Sequence, residues 1–549
     1  MIKDLVLNIG KLEKTSVFWA LICLLLGTGV LLLYIQDVPG SAMILSFLTA
    51  PVVVLRFFLA RKRKHLWPVT VMLAILAAGA YFIHMNARLT KFISRGTVGS
   101  YHYFLGSKYF KELGYYGLYR YTLLADQESR PPRLRRLKHI RHLEDLSTVP
   151  VKDAIAKAKD EKWNYFTRER WEEFKSDWEP MAKASRQWNR KLNDHGFNPP
   201  PFWNLIPGMI AQHIQTRDRL KYTVVRLIDL LLFLALLGIA AYVTGLDGAL
   251  SCYIFVNASV ILYYPHGFVD TYFQFQWLNA LIATMLFYRL GRMNLAGISL
   301  AYAGMVRIFP LVLAVGPGVV WLRKLIQKRS LPRKETAFLA SLVIAGAVFG
   351  LLGLTQGKGL SSTRESLQNI TQHADFIKFD TNKFGLQRLM SIDLFKPLET
   401  ISGLDNRARN FEDNRPIYYF LWALLMGLNL AAMVFDMDDD AWVIPLGIGL
   451  IFALMTASRY YYLVLLVYLI PGRKKQNSWF ATMSISTIFL VHSLFIFYRG
   501  DSYGAFTLGN IGILFALIVF PLSLLVKKYL DHQSQMASGG SWQRQNPLF

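Results

Sequence analysis

The string Asn193-Asp194-His195-Gly196-Phe197-Asn198-Pro199-Pro200-Pro201-Phe202-Trp203-Asn204 sets a carboxylate beside an imidazole and ahead of three consecutive prolines. Proline fixes φ and gives up its N–H, so such a turn is stiff and can hold Asp194 in one pose. The aromatic residues that follow offer a platform for a sugar ring, with His195 as a polar neighbour. In the plainer reading, Asp194 caps a turn and the prolines return the chain to the bilayer. Asp194 leads the acidic candidates of the loop that holds this turn, ahead of Glu112 and Asp126. His102, set between Tyr101 and Tyr103, is a candidate to orient a substrate or share a proton, or else an interfacial packing residue.

A second kind of chemistry is suggested by cations in apolar surroundings. Arg307 lies three residues before Pro310 inside an apolar segment. A cation there is costly unless it faces a cavity or a partner, and proline frees nearby backbone groups to line such a cavity. Arg307 is therefore the leading phosphate-binding candidate; the alternative is that it snorkels at headgroup level. Arg459, followed by three tyrosines, is the second candidate. Further substrate-contact candidates are His266 and Asp270 in Tyr263-Tyr264-Pro265-His266-Gly267-Phe268-Val269-Asp270, and Asn369, His373 and the string Asn382-Lys383-Phe384-Gly385 further on. Polar groups amid aromatics suit sugar recognition, although aromatic belts at a membrane interface have the same composition. Neither a carboxylate pair nor a metal-ligand spacing stands out, so the cofactor is unknown and use of a divalent metal is left open.

These residues must be positioned by a membrane framework. The 549-residue chain is 53% hydrophobic, 14% aromatic and only 18% charged. That balance predicts an all-α polytopic membrane protein rather than a pair of soluble domains. The net charge of +25 gathers largely at the ends of apolar segments. It is better explained by anionic membrane lipids and the positive-inside rule than by nucleic acid, which is not an expected partner. Cys23 and Cys252 both lie in apolar runs and build no disulfide framework or zinc site.

Apolar runs and basic clusters predict about 12 to 14 transmembrane passages with both termini cytoplasmic. Residues 1–85 supply three spans. Residues 86–217 form a large outer-face loop, whose aromatic opening from Thr97 to Tyr116 has the spacing of an interfacial helix. Residues 218–354 form a central bundle, with Ala296–Leu322 broken at Pro310 and Pro317 into two short helices that rise and return. A second outer loop, 355–415, a C-terminal bundle, 416–530, and a cytoplasmic tail, 531–549, complete the chain. The middle of the first loop carries Arg130, Arg133, Arg135, Arg136, Lys138 and Arg141, then charged helical segments with Trp163, Trp171, Trp178 and Trp188. This stretch reads as a solvated cap resting on headgroups, or as an electropositive approach for a lipid-linked phosphate.

In several places the chain resembles the GT-C superfamily of polytopic glycosyltransferases. Tyr101-His102-Tyr103-Phe104, Glu112-Leu113-Gly114-Tyr115 and Leu118-Tyr119 resemble the opening of its first outer loop. Asn198-Pro199-Pro200 resembles its loop turn, and Leu295-Ala296-Gly297 to Ala303-Gly304-Met305-Val306-Arg307-Ile308-Phe309-Pro310-Leu311 its broken helix pair. Ser458-Arg459-Tyr460-Tyr461-Tyr462 is similar to its late Arg-Tyr segment. The resemblance implies hexosyl or pentosyl transfer from a polyprenyl-phosphate-linked sugar donor to a lipid, glycan or protein acceptor at the outer face. It further implies inversion, with a first-loop carboxylate as base and cations on the departing lipid phosphate. The family often has an acidic residue just before the paired aromatics, where this chain has Gly99-Ser100, so the base is sought elsewhere, at Asp194 first and then at Glu112 or Asp126. A bacterial inner membrane is the expected location.

A multi-pass transporter or a flippase for lipid-linked substrates also uses intramembrane charge, such as Arg307 and Arg226, but has no need of a large structured outer loop. An enzyme requires the loop carboxylate and the membrane arginine to face one cavity.

Overall fold

The computed structural model describes residues 2–36, 40–62, 66–85, 101–184, 188–258, 272–328, 330–380, 383–393, 404–435, 442–470, 479–493 and 502–537. Among the described residues six helices are long and apolar enough to cross a membrane: Phe18–Ile35, Ser41–Arg61, Phe309–Gln327, Arg333–Gly353, Arg415–Phe435 and Gly504–Ser534. A seventh is counted if Arg219–Arg226 and Ile228–Thr244, bent by 41° at their junction, form one broken span. The larger number of passages expected from the apolar runs is not reached by helix length. Trp67–Ile83, Met293–Val306, Val443–Leu454, Arg459–Leu469 and Thr482–Ser493 are apolar but only 10–17 residues long. At about 1.5 Å per residue, such helices cover roughly 15–25 Å, less than a hydrocarbon core of about 30 Å. The fold is predominantly helical. Its β-structure among the described residues is two short antiparallel ribbons, His139–Arg141 with Thr148–Pro150 and Lys383–Phe384 with Ala457–Ser458.

Four threonines within the apolar helices satisfy their hydroxyls locally. Thr28, Thr49, Thr244 and Thr284 each donate to the carbonyl four residues back, at 2.7–2.9 Å. No water or partner helix is then needed for these groups. Charged groups are paired across helices: Arg56 on Ser41–Arg61 donates to Asp247 on Leu246–Asn257 at 2.8 Å. Where Met293–Val306 crosses Arg333–Gly353, a Cβ on Gly297 would collide with the Phe338 carbonyl, so the close crossing depends on that glycine.

The break in the central segment comes at Arg307, which is extended between Met293–Val306 and a 3₁₀ turn, Phe309–Ala314. Pro310 sits in the first turn of that 3₁₀ segment, as expected of a breaker. Pro317 does not break the chain. It lies in the first turn of Val315–Lys328, where an amide N–H has no intrahelical partner to lose. Phe309–Gln327 is accordingly long enough for a single span, not a short helix that returns.

The first loop differs from the expected surface layer. Its described opening is buried: Tyr101, Phe104, Leu105 and Tyr109 have no exposed area, so it forms a core and does not lie along a membrane surface. Trp171, Trp178 and Trp188 join this core, Trp178 meeting Trp188 edge-on at 4.5 Å, while Trp163 stays exposed. The core is locked by Lys108, whose ammonium donates to Asp177 Oδ2 at 2.7 Å and to the Ile214 carbonyl at 2.7 Å and pairs with Glu173 at 2.8 Å. Asp177 also accepts from the Tyr109 hydroxyl at 2.9 Å and the Thr216 N–H at 2.8 Å. All three ammonium donors are used, which makes this buried pair tolerable.

Removing one member of such a pair strands the other and costs about 3–5 kcal/mol, whereas removing both costs less. Lys108→Met and Asp177→Leu should therefore each lower the melting temperature of the detergent-purified protein more than the double variant does. Additive losses in the double variant would show that the two charges are not coupled.

Candidate functional site

The Asp194 turn is held from behind by two tyrosines on or beside the helix Leu118–Glu128. The Tyr119 hydroxyl accepts from the Gly196 N–H at 3.0 Å and lies 2.9 Å from His102 Nε2, while the Tyr115 hydroxyl donates to the Pro199 carbonyl at 2.8 Å. Because Tyr119 accepts from Gly196, its own proton is free to go to His102 Nε2. The His102 ring also hydrogen-bonds the backbone of Lys191, a carbonyl that takes the remaining ring N–H. His102 is thus neutral and engaged within the protein, and burial pushes it down to about 4. Its place is that of a positioning residue for the turn.

Gly196 has φ +70°, and a side chain there would meet Leu143 at 2.7 Å, so both conformation and space call for glycine. Phe197 anchors the turn in an aromatic cluster with Phe110, Tyr115 and Trp203. Anchored on its buried side, the turn leaves Asp194 exposed.

The second loop meets this turn directly. His373, on Leu360–Ile377, packs its ring edge-on against His195 with centroids 4.5 Å apart. Lys383, buried on the short ribbon, donates to Ser458 at 3.2 Å and lies 3.6 Å from Asp380. The same ribbon carries Arg459 next to Ser458, and the charge of Arg459 reaches Lys383. Burial lowers all three of His195, His373 and Lys383 below their ordinary values, His373 to about 3, although Asp194 opposes the shift in each.

Arg307 is 8% exposed, so it does not snorkel; it points into the protein. It donates to the Val306 carbonyl at 3.1 Å and to the Tyr103 hydroxyl at 3.3 Å, and Tyr461 also hydrogen-bonds it. Its Nε is buried without an acceptor among the described residues.

Asp194 and Arg307 act electrostatically on common neighbours. Tyr103 lies within the electrostatic reach of both, and so does His373. Burial raises the Tyr103 hydroxyl to about 12, with Arg307 pulling it down and Asp194 pushing it up. The assembly brings together one exposed carboxylate, the buried cations Arg307 and Lys383, the neutral imidazoles His195 and His373, and the phenols of Tyr103 and Tyr461. Such a set can accept a proton at its exposed carboxylate and receive negative charge at its buried cations.

The other candidates stand elsewhere. Glu112 is bound to Arg170 at 2.6 Å on the wall of a separate cavity. Asp126 is buried and accepts from the backbone N–H groups of Arg133 and Leu134 at 2.9 and 2.8 Å, closing a turn. Asn369 is buried on Leu360–Ile377. His266, Asp270 and Asn382 lie outside the described residues. Among those residues no group of three or more His, Cys, Asp or Glu side chains is placed to hold a metal ion. The sequence candidates did not single out Tyr103, Tyr461 or Asp380. Lys383 stood among them only as part of the string Asn382-Lys383-Phe384-Gly385, and nothing in the sequence pairs it with Ser458.

Comparison of the chain with protein-family models, curated proteins and solved structures finds no match to any of them.

Because burial lowers the three histidines, the unfolded chain binds their protons more readily than the folded one. Their contribution to stability is complete above the ordinary value of 6.5 and is lost as the pH falls toward about 4 for His102 and about 3 for His373. The melting temperature should therefore drop on acidification below pH 6.5, and less steeply in His373→Gln. An identical pH profile for that variant would place the acid sensitivity in other groups.

Proposed function

We propose that this protein is a GT-C-like membrane glycosyltransferase that moves a sugar from a polyprenyl-phosphate donor to a lipid, glycan or protein acceptor at the outer face of a bacterial inner membrane. The observation that carries the reading is the convergence of Asp194 and Arg307 on Tyr103 and His373. Asp194 takes the proton from the acceptor hydroxyl while that oxygen attacks the anomeric carbon. The bond from the anomeric carbon to the phosphate oxygen breaks with inversion, and its electron pair leaves on the lipid phosphate. Arg307 and Lys383 face the charge that develops there, which is where fixed cations lower a barrier most. The exposure of Asp194 suits a base that must meet a large acceptor, and the burial of the cations suits a leaving group that must be shielded from water.

The test is sugar transfer in proteoliposomes supplied with a panel of polyprenyl-phosphate sugars and a membrane-glycolipid extract. A positioned base contributes about 100-fold or more, and loss of a cation opposite a developing oxyanion costs a similar factor. Asp194→Asn and Arg307→Gln should each cut transfer by about that much while leaving the melting temperature within a few degrees. Full activity in Asp194→Asn would remove Asp194 from the role of base. Absence of transfer from every donor would instead favour a transporter or flippase.

A further inference from the structure

The cavity on which Glu112 stands is lined by residues from four separate stretches and measures about 580 Å³. One wall is Ser107 to Glu112 with Arg170, another is Asn204 to Gln212, and the third is Thr355 to Gly357. It shares no lining residue with the Asp194 and Arg307 assembly, so its ligand chemistry is independent of the transferase reading.

Its depth relative to the membrane is set by its neighbours. Thr355 to Gly357 come directly after the span Arg333–Gly353, and Gly353 is packed against Phe202, just ahead of the short helix Leu205–Gln212. That helix leaves Ile206 and Met209 exposed. The cavity therefore opens where a span leaves the hydrocarbon, beside apolar side chains that suit acyl chains.

Its polar lining is unbalanced in a particular way. Arg170 donates once from each guanidinium nitrogen, to Glu112, Glu173 and the Lys108 carbonyl, at 2.6, 2.6 and 3.0 Å, which clamps Glu112 through Oε1 alone. Glu112 Oε2 is buried with no donor among the described residues. Asn204 is 4% exposed; its amide donates to Gln356 at 3.3 Å, but its Oδ1 likewise has no donor. A side chain on Gly208 would sit about 3 Å from the Asn204 amide, so this glycine keeps that end of the cavity clear. Lys111 stands exposed at the rim.

Two buried acceptors, one of them anionic, ask for a ligand with N–H donors and positive charge, because unpaired buried acceptors are costly. The rim lysine asks for an anion a few ångströms further out, and the apolar helix asks for hydrocarbon. We infer that this cavity binds the headgroup of an aminophospholipid, its primary ammonium directed to Glu112 and Asn204 and its phosphodiester to Lys111. The volume is ordinary for a small-molecule site.

The experiment is native mass spectrometry of the full chain released from detergent with equimolar phosphatidylethanolamine, phosphatidylcholine and phosphatidylglycerol of identical chains. Trimethylation keeps the charge and removes every N–H donor, so phosphatidylethanolamine should be retained about tenfold over phosphatidylcholine, the worth of one charged hydrogen bond. Glu112→Gln and Gly208→Val should each abolish the excess. Lys111→Glu, an exposed change that spares the fold, should reduce it. Displacement by soluble glycerophosphoethanolamine would show that the headgroup suffices, and resistance to it that the chains along Met209 are part of the site. Equal retention of ethanolamine and choline lipids, a preference for phosphatidylglycerol, or an excess that survives both Glu112→Gln and Gly208→Val would overturn the assignment.

Discussion

The first loop of this protein turns on the buried ammonium of Lys108. It joins the opening of the first loop to Asp177 in the middle and to Ile214 at the return, and so ties three separate stretches together. A buried ion pair is weak evidence of stability in itself, because desolvation offsets most of the attraction. Its value here is geometric. Three donors with three fixed acceptors leave few alternative packings, and Tyr109 and Thr216 on the same carboxylate narrow them further. The aromatic segment placed by this lock continues to Tyr115 and Tyr119, the two phenols that hold the backbone of the Asp194 turn. An exposed carboxylate thus owes its pose to a buried lysine outside the site.

The parts of this arrangement that are legible in the sequence are those governed by local chemistry. A proline triplet after Asp194 predicts a stiff turn, and the structure shows one pinned on its buried side. A cation ahead of Pro310 predicts a broken helix with the arginine turned inward, and Arg307 is the extended residue at that break. Membrane-spanning character follows from apolar runs, but helix length does not, since several apolar runs form helices of only 10–17 residues. The charged segment around its tryptophans suggests contact with headgroups; burial of Trp171 and Trp178 instead depends on partners, such as Tyr101 and Phe174, far from them in sequence or one turn away. Lys383 is the least legible, because its place is set by a two-residue ribbon with Ala457–Ser458.

The convergence of the two loops has an electrostatic cost that bears on what the assembly can do. Arg307 and Lys383 are buried with Arg459 nearby, while the carboxylates in reach are Asp194, which is exposed, and Asp380. Phenols solvate a guanidinium less well than water does, and Arg307 Nε has no acceptor among the described residues. The histidines do not add to the positive charge, since burial keeps His195 and His373 neutral near pH 7. The interior is therefore cationic but short of acceptors. An anion entering it gains hydrogen bonds that the protein does not supply, and the gain grows as charge accumulates on that anion. A group whose negative charge increases during a reaction is held more strongly at the end of the step than at its start, which is the condition for binding to accelerate chemistry rather than merely to retain a ligand.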